Sequence, residues 1–283
     1  MKKISTLFAF ALFASATFAQ LNKSGNDITI QPKFTPNQSY LYQLNLTKVN
    51  IEGDKQINEV DFKTPVKVTL YSEGDGFNLF EWESQPMLFF KANENNSSYN
   101  FPTNTIHVKY RTDENFVMGE VSNYDEVIQD YIEAYQKLYQ DNETNFNDLA
   151  AKSSLYFIQM FHLFFGQEFK MNEKEKMMNL FYNPMKDTFS AAEDEISYTE
   201  TDEKPTFFFV QKYNTDMEDN SAKMMNHKTI DSYRSRQTDA EYKLKSWGNQ
   251  SFTSNGLINT IQRIVEVKQD GKTTQFIYTL TTN

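Results

Sequence analysis

The sequence predicts an α+β protein, predominantly antiparallel β (a curved sheet or partly open barrel) with a helical insertion of two to three helices. Three observations carry that prediction. Apolar residues alternate with a period of two on both sides of the middle of the chain, as half-buried strands require. Between about residues 122 and 183 the period lengthens to three and four. Near the end, Asp270-Gly271 separates two β-rich arms, the signature of a two-residue type I′ turn.

Taken in order, the first nineteen residues are an address. Lys2 and Lys3 supply a positive start, Ile4 to Phe18 is uncharged and apolar, and small residues lead to Ala19. This is the three-part layout of a secretory signal peptide cleaved after Ala19, leaving Gln20 as the new N-terminus. The apolar run is short for a membrane span, so residues 20–283 are expected to form a single β-rich domain without a stable membrane anchor.

Strands follow. Tyr40, Tyr42, Leu44 and Leu46 alternate with more polar neighbours, as do Val66, Val68 and Leu70 with Lys67, Thr69 and Tyr71. The link Ser72-Glu73-Gly74-Asp75-Gly76 predicts a hairpin that returns through Phe77 to Glu83. Asn93 to Asn100 reads as a polar loop. At Ser122 and Asp125 the sequence has the form of a capping box. Tyr124, Val127 or Ile128, Tyr131, Tyr135 and Leu138 then recur at helical spacing, with Asp125, Gln129, Glu133 and Gln136 on the other side. A second helix is predicted from Asn147 to Gly166, apolar nearly all round, and a third from Asn172 to Phe181, before Pro184.

The acidic stretch Ala191 to Lys204 reads as a solvated loop, and strand signals resume at Thr206 to Tyr213. Asp216 to Thr229 is polar and without period. Folding the C-terminal arms about Asp270-Gly271 sets Val267 opposite Thr274, Val265 opposite Phe276, Arg263 opposite Tyr278 and Ile261 opposite Leu280. Glu266 with Gln275 and Lys268 with Thr273 fall on the other face. A slip of one residue would turn the apolar set to solvent, so the register is strongly specified.

Composition excludes several function classes. There is no cysteine, which removes thiolate catalysis, Cys-type zinc sites and iron–sulfur ligation together. The net charge is −10, and −12 once Lys2 and Lys3 are removed with the leader. That sign repels phosphate backbones, so no nucleic-acid partner is expected.

Neither Gly-x-Ser-x-Gly nor Ser-x-x-Lys occurs, and Ser221-Ala222-Lys223 is a common spacing. No His-Glu-x-x-His or glycine-rich phosphate cradle is present, so no metal and no cofactor is expected. His162 reads as a hydrogen-bonded core histidine, while His107 falls in a strand and His227 in a polar stretch. Glu193, Asp194, Glu195, Glu200, Asp202 and Glu203 lack the alternating pattern and glycine of an EF-hand loop. Glu81 and Glu83 flank Trp82 in the manner of a glycosidase carboxylate pair, but the sequence does not set their separation.

With 25 Phe and 16 Tyr, aromatic residues dominate the apolar content. Tyr40, Tyr42, Phe77, Trp82, Phe157 and Phe161 are the expected lining of an apolar ligand site. The sequence-based expectation is therefore an exported, soluble, non-enzymatic binding protein, periplasmic in a Gram-negative host and otherwise secreted. Its partner is an apolar small molecule, a lipid or another protein. The alternatives are an interaction or immunity-type protein that sequesters a basic partner, and a hydrolase whose site assembles only in three dimensions. A curved sheet plugged by a helix resembles lipoprotein-carrier and related periplasmic folds in architecture, and architecture alone does not carry function.

Overall fold

The computed structural model describes residues 21–53, 55–74, 76–86, 103–139, 156–183, 188–201, 204–213 and 242–283. The signal peptide 1–19, the loop 93–100, the first part of the second helix (147–155) and the stretch 216–229 with Ser221, Lys223 and His227 lie outside them.

The strands are β1 (Leu21–Ser24), β2 (Asp27–Ile30), β3 (Ser39–Glu52), β4 (Lys55–Gly74), β5 (Phe77–Ser84), β6 (Ile106–Asp113) and β7 (Met118–Val121). After the helices come β8 (Glu168–Lys170), β9 (Lys174–Asn183), β10 (Thr188–Thr201), β11 (Lys204–Tyr213), β12 (Tyr242–Phe252), β13 (Ile258–Gln269) and β14 (Lys272–Thr282). Helix α1 spans Tyr124–Tyr139, and the described part of α2 covers residues 156–162.

Eleven strands form one antiparallel sheet in the order β7-β6-β5-β4-β3-β14-β13-β12-β11-β10-β9, and the sheet is not closed. A small sheet, β1-β2-β8, accompanies it. The β part of the expected α+β class therefore holds, while helices are a minor component.

One face of the large sheet is largely apolar along β3, β4 and β5. Tyr42, Leu44 and Leu46 of β3, Val66, Val68 and Leu70 of β4, and Phe80 and Trp82 of β5 are buried on it, as the alternation predicts. Helix α2 lies on this face. His162 at its end meets Tyr110 of β6 at 2.9 Å, and Phe164, two residues on, stacks on Phe207 of β11 with ring centroids 4.7 Å apart. Those strands are seven steps apart in the sheet order, which would separate them by about 34 Å if the sheet were flat. Two neighbouring residues reach both only because the sheet curls around α2.

The C-terminal hairpin adopts the predicted register throughout, from Lys268 opposite Thr273 to Ile261 opposite Leu280. Asp270 and Gly271 have φ of 50° and 75°, the two left-handed positions of a type I′ turn. The hairpin of β4 and β5 likewise closes with Gly74 opposite Phe77.

Four local expectations are corrected. The predicted third helix, Asn172 to Phe181, is strand β9. Its backbone groups pair with β10 from Ser197 opposite Lys174 to Thr188 opposite Asn183, and that tertiary pairing overrides a weak local period. The predicted loop 191–204 is largely strand as well. Ala192, Asp194 and Ile196 face inward, while Glu193 and Glu195 face Lys176 and Lys174 at 2.8 and 2.6 Å. Next, Ser122 does not cap α1, because its hydroxyl donates to the Lys109 carbonyl. Asn123 occupies the capping position, where its carbonyl oxygen accepts from the Val127 N–H and its side-chain amide reaches Glu126. Finally, α2 ends at residue 162 rather than at Gly166. Gly166, at φ 67°, instead turns the chain against Asn115, whose carbonyl oxygen leaves no space for a Cβ, and donates to the Ile30 carbonyl at 2.9 Å.

Candidate functional site

The six aromatic residues offered by the sequence are divided between two faces. Tyr42, Trp82, Phe157 and Phe161 are buried on the inner face. Phe161 packs edge-on against Tyr42 at 5.5 Å and Trp82 at 5.8 Å, and Phe157 packs against Tyr278 at 6.1 Å. Tyr40 sits at the margin of that core, edge-on to Phe34, and its hydroxyl accepts from the Thr35 N–H at 2.8 Å. Phe77 lies on the opposite face beneath the Arg111 guanidinium, 4.9 Å from the ring centre. Five of the six thus share the inner surface, and in the described residues they are largely each other's packing partners.

A polar group interrupts this aromatic interior on the C-terminal half of the sheet. Asp194 of β10, Gln211 of β11, Ser246 and Gln250 of β12, and Arg263 of β13 are all at most 2 % exposed. Strand register brings them together. Gln211 is opposite both Asp194 and Ser246, and Arg263 is opposite Gly248. The Arg263 guanidinium donates to the Gln211 side-chain oxygen, and the Gln211 amide donates to Asp194 Oδ1 at 2.8 Å. Gln211 therefore links a buried cation to a buried carboxylate.

Gly248 permits this arrangement. It stands between Phe209 and Arg263 in one row across β11, β12 and β13. A Cβ there would overlap the Gln262 carbonyl oxygen and approach Phe209 Cζ to 2.8 Å. Without it, the Arg263 guanidinium reaches 5.3 Å from the Phe209 ring centre and 5.7 Å from that of Tyr156 on α2. The cation is enclosed by ring faces, a favourable setting for a weakly hydrated planar charge.

Among the buried side-chain oxygens without a hydrogen-bond partner in the described residues are Ser246 Oγ and Gln250 Oε1 of this group and Gln159 Oε1 of α2. The Gln250 amide donates to the Phe161 carbonyl at 3.5 Å, which turns the other end of its side chain elsewhere. Each unmade hydrogen bond costs about 1–3 kcal/mol. These oxygens leave hydrogen-bond acceptor capacity in an otherwise largely aromatic interior.

The sequence carried one signal of this site. Arg263 falls on the apolar face of the best-specified hairpin, where a charge needs an explanation. Its neighbours Asp194 and Gln211 were hidden by the acidic stretch and the polar end of β11.

No family model matches the chain, and no curated protein matches it. Among solved structures, it is similar to the crystal structure of Ail, the attachment invasion locus protein of Yersinia pestis, at 4 % identity over 87 % of this chain and 97 % of that one. The TM-score is 0.18, and nothing about this chain follows from a likeness at that level.

Proposed function

We propose that this chain is an exported, soluble, non-enzymatic binding protein that holds an apolar small molecule or lipid by a polar group inside a partly open barrel. It is periplasmic in a Gram-negative host and secreted otherwise. The observation that supports this most is the buried set Arg263, Gln211, Ser246 and Gln250, with two side-chain oxygens left unpaired beside an aromatic helix. Ring faces suit an apolar body, and the buried donors and acceptors suit a single polar head.

Sequestration of a basic partner is less well supported. The sharpest acidic run of the sequence is partly neutralised within the sheet, where Glu193 and Glu195 pair with Lys176 and Lys174.

A titration with a fluorescent fatty acid tests the reading. Wild type is expected to bind the probe saturably, and Gln250→Leu, which removes the buried amide, is expected to weaken binding about tenfold, equivalent to about 1.4 kcal/mol. Saturable binding unaffected by the substitution would place the ligand elsewhere.

A further inference from the structure

On the outer face of the sheet, Glu81 and Glu83 alternate along β5 while Trp82 between them points into the core. His107 of β6 is the cross-strand partner of Glu83 and lies diagonal to Glu81. His107 Nδ1 is 3.3 Å from Glu81 Oε1 and 4.0 Å from Glu83 Oε2. One ligand atom from each of the three residues falls within 4.8 Å of the others.

The remaining carboxylate oxygens are held from outside. Tyr71 of β4 donates to Glu81 Oε2, and Lys67 Nζ lies 2.6 Å from Glu83 Oε1. Each glutamate is thus oriented through one oxygen and presents the other to the imidazole. This is the division between ligating atoms and supporting hydrogen bonds that metal sites use to fix carboxylate geometry. All five residues sit on three adjacent strands, so the backbone holds their spacing rigidly.

We propose that Glu81, Glu83 and His107 form a site for a divalent transition-metal cation, with Zn2+ the best match to one imidazole and two carboxylates. A tetrahedral zinc with bonds near 2.1 Å needs ligand atoms about 3.4 Å apart. The observed separations are 3.3 Å, 4.0 Å and at most 4.8 Å, at or somewhat above that distance. The imidazole nitrogen favours zinc and its neighbours over calcium or magnesium, which take oxygen ligands. Glu81, Glu83 and Asp130 of α1, which lies close enough to His107 for the two to interact electrostatically, outnumber Lys67 and Lys109, the cross-strand partners of the two glutamates, and so favour a cation. The fourth position faces solvent, since His107 is half exposed.

The site is on the opposite side of the sheet from the interior polar group and does not depend on it. Purified protein stripped with EDTA and titrated calorimetrically with ZnCl2 tests it. One Zn2+ per chain is expected, and His107→Ala and Glu83→Gln are each expected to weaken binding by about 10- to 100-fold. Circular dichroism melting of the metal-free variants checks that both remain folded, as expected for substitutions on the outer face. Absence of binding up to about 1 mM Zn2+, or equal affinity in wild type and folded His107→Ala, would overturn the proposal.

Discussion

Tyr110 Oη and His162 Nε2 lie 2.9 Å apart in the core, where the end of α2 meets β6. The second imidazole nitrogen, Nδ1, is 2.8 Å from the Phe116 carbonyl, a group that only accepts. Nδ1 therefore carries the proton and donates it, while Nε2 accepts from the tyrosine hydroxyl. Both ring nitrogens are used, and the imidazole is neutral. Burial pushes the His162 pKa down to about 3, although the bond to the Phe116 carbonyl works in the opposite direction.

The sign of the resulting pH dependence follows directly. The unfolded chain binds a proton on this histidine near pH 6.5, and the folded chain does so only near pH 3. The contribution is complete above the unfolded value and is lost as pH falls through the window between the two. Between pH 6.5 and 5, before ordinary carboxylates titrate, the loss through this one group is expected to steepen from about 0.7 to about 1.3 kcal/mol per pH unit. His162→Gln preserves a donor and an acceptor, and its stability should be nearly flat over the same range. Urea unfolding at several pH values measures both slopes, and equal slopes would remove His162 as their source.

Ser246 gives a second prediction, on the interior polar group. Its hydroxyl oxygen is buried and unpaired among the described residues. Ser246→Ala is expected to stabilise the ligand-free protein by about 1 kcal/mol, because the desolvated hydroxyl is removed without enlarging the side chain. Chemical denaturation of delipidated protein checks this, and a loss of stability would mean that the hydroxyl is satisfied in solution.

Legibility in the sequence followed the strength of local signals. The β13–β14 hairpin was readable to the residue, because Asp270-Gly271 selects one turn type and the apolar alternation allows one register. Strands β9 and β10 were not, since Lys174, Lys176, Glu193 and Glu195 obscure a period of two that serves cross-strand ion pairs. For the sites, the limit was distance along the chain. Glu81, Glu83 and His107 were each visible as chemistry, but only the pairing of β5 with β6 unites them. Arg263 was visible on an apolar face, yet its enclosure depends on the space above Gly248 and on a helix a hundred residues earlier in the chain.

The central claim is that the interior carries a ligand by a polar head at Arg263 and Gln250. Native mass spectrometry of the protein isolated from its own host, followed by denaturation and mass analysis of what is released, tests it most directly. The expected result is a retained amphiphile in a one-to-one complex. That mass should be reduced or absent in Gln250→Leu prepared in the same way. Bare protein mass from every preparation, with no amphiphile released on denaturation, would contradict the claim.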